Sequence, residues 1–270
     1  MNRTTGDDRR ETGQSSPLAG KGIVITRPAR QAQRLAALVR ANGGAAILFP
    51  VIEIVDVDDP APLHALIDRL DEFDLAVFVS PNAAGKAIGL ISARRALPAR
   101  LAIAAVGPGT ARELAELGIT NVLAPTDRGD SEALLGLPQL VRPAGKRVAI
   151  FRGDGGRELL GDTLIARGAA VEYATCYRRV RPTLDPAPLL DAWRRGKLHA
   201  LTVTSSEGLR NLCDMVGDAG RLQLAATPLF VPHPRIAQAA RALGIASVIV
   251  AAEPGDEGLL AALVAYFGER

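Results

Sequence analysis

The segment AVEYATCYRRVRP, residues 170–182, joins a strand-like pattern to a cluster of basic residues. Apolar residues alternate with small or polar ones along its first half, which is typical of a β-strand. Tyr177 then leads directly into Arg178 and Arg179, and Arg181 follows. A guanidinium group binds a carboxylate through two parallel hydrogen bonds. The segment therefore predicts contact with an anionic ligand at the end of a strand.

The chain repeats itself at an offset of 125 residues. GIVITRPARQAQRLAALVRANGGAA resembles RVAIFRGDGGRELLGDTLIARGAAV, which aligns Arg27 with Arg152. LAVFVSPNAAGKAI resembles ALTVTSSEGLRNL, which aligns Ser80 with Ser205 at the same offset. VGPGTARELAELGITNVL and PHPRIAQAARALGIASVI form a third pair. Three matched segments in one order indicate a duplication, and a repeat of this length is a domain rather than a solenoid unit.

Each repeat alternates short apolar strands with helices of about ten to fifteen residues, which predicts parallel sheets covered by helices on both faces. A glycine follows each of four predicted helices, as helix ends favour. These are Gly43, Gly118, Gly168 and Gly244. The sequence therefore predicts an α/β protein with two doubly wound, flavodoxin-like domains. Ligands of such sheets bind beyond the carboxyl ends of the strands, so we expect the site in the loops there.

Arginines stand at the predicted strand ends or in those loops. A solvated charged surface would scatter its arginines along helices instead. The set is Arg27, Arg30, Arg152, Arg157, Arg178, Arg179, Arg181 and Arg235. Their placement predicts a ligand with several carboxylates that is held by both domains.

The composition argues against several other classes of protein. Hydrophobic residues make up 48% but aromatic residues only 4%, so the cores must consist of Ala, Val, Leu and Ile. A net charge of +3 is too small for a nucleic-acid-binding tail. The three histidines and two cysteines lack metal-ligand spacing, so no metal site is predicted. Cys176 and Cys213 are expected to be small buried apolar residues.

The first twenty residues are polar and lack the apolar core of a signal peptide. No apolar run approaches the ~20 residues that a membrane helix requires. We therefore expect a cytoplasmic protein without a membrane segment, and a disordered tail at residues 1–20.

Several short motifs allow two interpretations. VGPGTAR carries Gly107 and Gly109 but lacks the third glycine of a dinucleotide fingerprint, which argues against a nucleotide cofactor. RGDGGRE could cradle an anion with backbone amides or form a flexible turn, and the pattern leaves both open. Ser80 and Ser205 stand where helix N-caps stand, so capping is their default role. His233 is expected to be a loop residue near the substrate.

Together these pieces resemble the uroporphyrinogen-III synthase family over residues 22–267. The pieces are VITRPARQ, FVSPNAA, AVGPGTA, RGDGGRELL, YATCYRR and LTVTSSEGL, in this order. The resemblance implies a discontinuous first domain, residues 21–51 with 181–270, and a second domain at 52–180. It also implies that residues 50–55 and 173–179 cross between the domains as a two-stranded antiparallel connector.

The resemblance further implies a monomeric, cofactor-free lyase of haem biosynthesis that closes hydroxymethylbilane to uroporphyrinogen III. Tyr177 matches the tyrosine proposed to assist departure of the hydroxyl group as a hydrogen-bond donor or acid. Substrate acetates and propionates account for the arginines. The implied substrate contacts are Arg27, Ser80, Thr110, Arg152, Gly153, Arg178, Ser205, His233 and Arg235. The loop PHPRI departs from the family pattern, and His233 and Arg235 are expected to replace its usual contacts.

Two other functions stay open. A two-domain anion-binding or regulatory protein without catalysis would carry the same sheets and arginines. A nucleotide-dependent α/β enzyme is disfavoured by the broken glycine motif. Conversion of hydroxymethylbilane to type III product in excess of type I would separate the three.

Overall fold

The computed structural model of the protein describes residues 16–126, 129–156 and 158–268. Its strands are β1 Gly22–Ile25, β2 Ala45–Leu48, β3 Glu53–Val55, β4 Leu75–Phe78, β5 Ala102–Ala105, β6 Val122–Leu123, β7 Arg147–Gly153, β8 Ala170–Val180, β9 Ala200–Thr202, β10 Leu229–Val231 and β11 Val248–Val250. Its helices are α1 Ala29–Ala41, α2 Ala61–Asp68, α3 Pro81–Arg94, α4 Pro108–Glu116, α5 Ser131–Leu135, α6 Pro138–Val141, α7 Leu159–Ala166, α8 Ala187–Arg194, α9 Ser206–Ala226, α10 Pro234–Ala242 and α11 Asp256–Gly268.

The chain divides into two compact units. Unit 2 is the continuous stretch Ile54–Val180, and unit 1 consists of the chain up to Glu53 together with the chain from Arg181 onward. The sequence predicted changes of domain after residues 51 and 180.

The sheet of unit 1 has the strand order β11-β10-β9-β1-β2. The pairings of these strands are parallel. On one face, the apolar stripe of α1 packs with α11 against β1 and β10, and Leu35 and Leu263 are fully buried there. Numbered within the unit, the order is 2-1-3-4-5, which is the flavodoxin-like arrangement.

The sheet of unit 2 has the order β3-β8-β7-β4-β5-β6. If β7 and β8 are counted as its first two strands, β8-β7-β4-β5-β6 is again 2-1-3-4-5. Helices α2, α3 and α4 cover one face, and α5, α6 and α7 cover the other. The predicted α/β fold with two parallel sheets is therefore confirmed. Strand β3 lies beside β8, and the antiparallel connector stays a prediction.

The duplication is visible in how the elements end. Gly43, Gly118, Gly168 and Gly244 all follow helices with φ between 81° and 87°, a left-handed conformation that favours glycine. Ser80 and Ser205 each cap a helix through the side-chain oxygen. The repeat therefore fixes both the backbone turns and the caps at matching positions.

An irregularity in β8 changes which way its side chains face. Arg152 pairs with Thr175, but Gly153 pairs with Tyr177, so Cys176 is an extra residue in the ladder. A bulge of this kind shifts every following side chain to the opposite face of the strand. Tyr177 therefore joins the core beside α3.

The prediction for the start of the chain was partly wrong. Residues 1–15 of the predicted disordered tail lie outside the described residues, but residues 16–20 form a turn. Leu18 is fully buried in the core with α1, and its backbone N–H donates to the Asn42 carbonyl at 2.9 Å. The prediction of disorder as far as residue 20 was wrong, because the buried side chain of Leu18 anchors this turn. In the described residues, no helix is long and apolar enough to cross a membrane.

Candidate functional site

Two hydroxyl groups meet at the carboxyl edge of the unit 2 sheet. Tyr177 lies near the end of β8, and Ser80 follows β4 as the N-cap of α3. Tyr177 Oη and Ser80 Oγ are 3.1 Å apart, and Ser80 Oγ also accepts the Ala83 N–H at 3.1 Å. Only 4% of Tyr177 is exposed. The phenol is thus held in one place by the core and by a helix cap.

Gly153 provides the space that Tyr177 occupies. A methyl group on Gly153 would fall 2.6 Å from Tyr177 Cζ and 3.0 Å from its hydroxyl oxygen. Contacts this short do not occur between carbon atoms, so any side chain at 153 would push the ring aside. Gly153, which the sequence predicted as a substrate contact, is buried beneath the tyrosine.

Tyr173 does not share the face of Tyr177, although a regular strand would put two residues four apart on one face. Its hydroxyl lies against α7, where a methyl group on Gly161 would fall 1.8 Å from the oxygen. The Arg152 guanidinium lies over the Tyr173 ring at 4.9 Å from the centroid. Burial raises the pKa of the Tyr173 phenol. This makes Tyr173 a weaker proton donor.

Arg178 lies beside a small cavity of unit 2. Its guanidinium donates to Asp58 Oδ1 at 2.6 Å. The cavity has a volume of about 280 Å³ and is lined by Pro62, Leu63, Asp154, Tyr173 and Thr175 together with Arg178. The lining is partly apolar and partly charged, and Arg178 is its basic group.

Asp154, directly after β7, fixes the segment that follows Tyr177. Its N–H donates to the Tyr177 carbonyl at 2.9 Å, and its carboxylate accepts the Arg179 N–H at 3.0 Å. Asp154 was not predicted as a site residue, although its place in the RGDGGRE loop was a usable signal. This loop therefore helps to set the backbone that carries the tyrosine. Arg157, from the same loop, lies outside the described residues.

Thr110 is in the first turn of α4 and only 4% exposed. Its N–H donates to the carbonyl of Gly107, the N-cap residue, at 3.1 Å. The predicted hydroxyl contact is thus at the carboxyl edge of β5, but its side chain is buried.

In unit 1, the arginine that matches Arg152 has a carboxylate partner. Arg27 follows β1 and forms an ion pair with Asp256, the first residue of α11. Asp256 is 8% exposed, so this carboxylate is largely withdrawn from water. The Arg27 Nε is buried without a hydrogen-bond partner. The sequence did not predict Asp256 as the partner of Arg27. The available signal was an acidic residue in the first turn of α11.

The remaining predicted contacts of unit 1 stand at two helix starts. Ser205 Oγ accepts the Gly208 N–H at 2.9 Å and so caps α9. His233 caps α10 without a side-chain hydrogen bond, and Arg235 is in the first turn. Burial, with the nearby Arg235 charge, lowers the pKa of His233 below 6.5. Both effects favour the neutral imidazole.

Cys176 is buried in the core of unit 2, and burial raises the pKa of its thiol to about 12. It is a small apolar core residue, as predicted, rather than a nucleophile. Cys213 is half-buried. No cluster of three or more His, Cys, Asp or Glu in the described part of the chain is arranged to hold a metal ion.

Comparison with known proteins decides the family. The family described as "Uroporphyrinogen-III synthase HemD" matches residues 33–261. The chain belongs to the uroporphyrinogen-III synthase family. It is 37% identical to the uroporphyrinogen-III synthase of Salmonella typhimurium and 36% identical to that of Escherichia coli K12, in each case over 89% of this chain and 99% of the relative.

Solved structures of the family share the fold. A uroporphyrinogen III synthase from Thermus thermophilus aligns with a TM-score of 0.58 at 22% identity, covering 92% of this chain and 98% of that one. The Helicobacter pylori protein aligns with the same TM-score at 16% identity, over 93% and 100% of the two chains. The function predicted from the sequence, uroporphyrinogen-III synthesis in tetrapyrrole biosynthesis, is confirmed at the level of the family. A non-catalytic anion-binding protein is not favoured.

Proposed function

We propose that this chain closes linear hydroxymethylbilane to uroporphyrinogen III, a lyase reaction that releases water. Loss of the terminal hydroxyl leaves an azafulvene cation, and the substituted end carbon of ring D attacks it to form a spiro-pyrrolenine. This intermediate fragments and recloses through the opposite side of ring D. The free bilane also cyclises unaided without inversion, so the protein must hold ring D where the inverting attack is faster.

Tyr177 is the proposed donor to the departing hydroxyl group. The observation that carries the proposal is a phenol fixed at the carboxyl edge of the sheet in a chain of this family, 3.1 Å from Ser80 Oγ. The proton of the phenol goes to the hydroxyl, which leaves as water, while the pyrrole nitrogen supplies the electron pair. The proton that ring D loses after the final closure restores the balance. Because the pyrrole nitrogen already drives the departure, the acid assists it without being indispensable.

Arginines at the strand ends are proposed to bind the acetates and propionates of the bilane. Arg178 and Arg27 already face Asp58 and Asp256, so a substrate carboxylate must join these pairs or displace the aspartate. Arg152 and Arg235 are proposed as further basic contacts. Ser205 and Thr110 are proposed as hydroxyl contacts. His233, whose pKa is lowered by burial and by the Arg235 charge, is proposed as a hydrogen-bonding contact.

The test is the isomer ratio of the product. Hydroxymethylbilane is supplied to the purified chain, and the products are oxidised and separated as type I and type III uroporphyrins. We expect type III to exceed type I, with heat-unfolded protein giving the type I that forms in buffer alone. Binding of the bilane without type III product would instead indicate the anion-binding alternative. Dialysis against a chelator before the assay should leave the ratio unchanged, because no cofactor is expected. Cytoplasmic location and a monomeric state stay predictions.

A further inference from the structure

Ser80 has a second partner besides the helix that it caps. Its oxygen accepts the Ala83 N–H at 3.1 Å and lies 3.1 Å from Tyr177 Oη. A serine hydroxyl has one proton to donate and two lone pairs to accept with. Since the helix amide occupies one lone pair, two arrangements of the hydroxyl pair remain. Either Ser80 donates to Tyr177, or Tyr177 donates to Ser80.

The two arrangements differ in where the phenol proton points. If Tyr177 donates to Ser80, its only proton is engaged away from any substrate. If Ser80 donates to Tyr177 Oη, the phenol proton is free for the substrate. Helix α3 favours the arrangement in which Ser80 donates. The N–H at the start of α3 draws electron density from Ser80 Oγ, and this makes the Ser80 hydroxyl a better donor.

We propose that Ser80 is a positioning residue for the proton donor Tyr177, an inference that rests on the proposed function. Its hydroxyl donates to Tyr177 Oη, which directs the phenol proton to the departing hydroxyl of the bilane. After the transfer, the same Ser80 hydroxyl donates to the phenolate that remains. Ser80 thus acts through Tyr177 rather than through a contact with the substrate.

The repeat supports a role beyond helix capping. Ser205 caps α9 in the same way, with Gly208 N–H at 2.9 Å, and the repeat places Ile52 where unit 2 has Tyr177. A methyl group on Gly208 would lie 3.1 Å from Ser205 Oγ and 3.7 Å from the Ile52 side chain, so both residues lie near the start of the same helix. The cap forms without a phenol in unit 1. The hydroxyl pair of unit 2 is therefore not a requirement of the fold.

The experiment is a double-mutant cycle on the turnover number for type III product. Ser80→Gly removes the hydroxyl and weakens the cap only slightly. Ser80→Asp caps α3 about as well as serine but can only accept hydrogen bonds. Each is made in the parent chain and in Tyr177→Phe, and thermal unfolding shows which variants are folded. Ser80→Thr, which keeps both the cap and the donor, is the conservative rescue.

We expect Ser80→Gly to lower kcat by about tenfold with little change in KM, which corresponds to one oriented hydrogen bond. Ser80→Asp should lower kcat further, because its carboxylate accepts a hydrogen bond from the phenol and so turns the phenol proton away from the substrate. Ser80→Thr should stay close to the parent. In the Tyr177→Phe background, all three should leave kcat unchanged. Ser205→Gly should lower kcat by the same factor in both backgrounds, since unit 1 has no phenol at its cap.

Three results would overturn the inference. They are equal kcat losses from Ser80→Gly in both backgrounds, parent-like turnover of a folded Ser80→Asp, and parent-like turnover of Tyr177→Phe. With type III product from the parent, each of them removes the positioning role and leaves the proposed cyclisation standing. The third result also removes the proposed role of Tyr177. Absence of type III product from the parent chain removes both.

Discussion

Unit 1 and unit 2 build the same five-strand order and the same serine caps, yet their carboxyl edges carry different chemistry. In unit 2 the cap serine meets Tyr177, and Gly153 leaves room for the ring. In unit 1 the buried hydroxyl of Thr26 donates to the Thr202 carbonyl at 2.8 Å, and Thr202 donates to Val24. Those hydroxyls hold neighbouring strands together. A duplicated fold has kept its turns and caps in both halves. At the two serine caps of the described residues, the phenol that we propose as the acid lies in unit 2, and Ile52 lies near the cap of unit 1.

The largest expected effect comes from filling the space beneath Tyr177. Gly153→Ala would bring a methyl group to 2.6 Å from the buried ring, so the ring must leave Ser80. We expect kcat to fall by roughly 10²–10⁴-fold, the range typical of losing a general acid. The measurement is steady-state turnover to type III product, with thermal unfolding to confirm the fold.

Gly161→Ala is the matched control, because its methyl group would meet the hydroxyl of Tyr173 at 1.8 Å. Tyr173 is 41% exposed and can swing away, so this variant should keep turnover near that of the parent. Equal losses from both variants would mean that crowding of β8, and not the placement of Tyr177, causes the effect.

A second, smaller contrast separates the two paired arginines. Arg178 pairs with the exposed Asp58, so Arg178→Gln should change the free energy of unfolding by only about 0–1 kcal/mol. Its KM for hydroxymethylbilane should rise several-fold, and the rise of KM with salt should weaken. An unchanged KM for Arg178→Gln would show that this arginine contacts only water and Asp58.

Arg27→Gln leaves the buried Asp256 without its partner. It should lower the free energy of unfolding by about 1–3 kcal/mol, as measured by denaturant unfolding.

Much of this comparison could be predicted from the sequence. The offset of 125 residues aligned Arg27 with Arg152 and Ser80 with Ser205, and these pairs do stand at matching strand ends and caps. Helix-ending glycines and cap serines are local signals, because each acts on backbone within a few residues of itself. Local signals placed in a repeat were enough for the fold class.

The arrangement around Tyr177 could not be predicted in the same way. The alternation of side chains put Tyr173 and Tyr177 on one face, and the extra residue Cys176 reverses this. Nothing in the local sequence marks a bulge that depends on how Gly153 meets its partner strand. The Asp256 partner of Arg27 lies 229 residues away, beyond the reach of any spacing rule.

The smallest expected effect is at exposed ion pairs of unit 2, which lie at the ends of α2 and α3 and near the starts of β7 and β8. The pairs are Asp68 with Arg94, Asp71 with Arg95, and Glu172 with Arg69 and Arg147. Hydrogen bonds from these arginines lower the pKa of each carboxyl group below its ordinary value of 3.8 for Asp and 4.5 for Glu. A lowered folded pKa stabilises the fold above the unfolded pKa.

This contribution is lost as the pH falls through the lowered folded values. Denaturant unfolding between about pH 6 and pH 2 should therefore show a decline that begins below the ordinary carboxyl pKa values. Because the pairs are exposed, the decline should be modest and weaker in high salt. Glu172→Gln should reduce it. A decline that neither salt nor Glu172→Gln alters would mean that these pairs contribute nothing.

The central claim is that the phenol of Tyr177, on the face of β8 beside Ser80, donates the proton that releases the hydroxyl of the bilane. The most direct measurement is the kcat of Tyr177→Phe against Tyr173→Phe, since each removes one hydroxyl from the same strand. We predict that Tyr177→Phe stays folded, keeps its KM and loses roughly 10²–10⁴-fold in kcat. Tyr173→Phe should turn over near the parent rate, because its hydroxyl lies against α7. A fully active Tyr177→Phe would contradict the claim, and an inactive Tyr173→Phe would move the role to the other face of the strand.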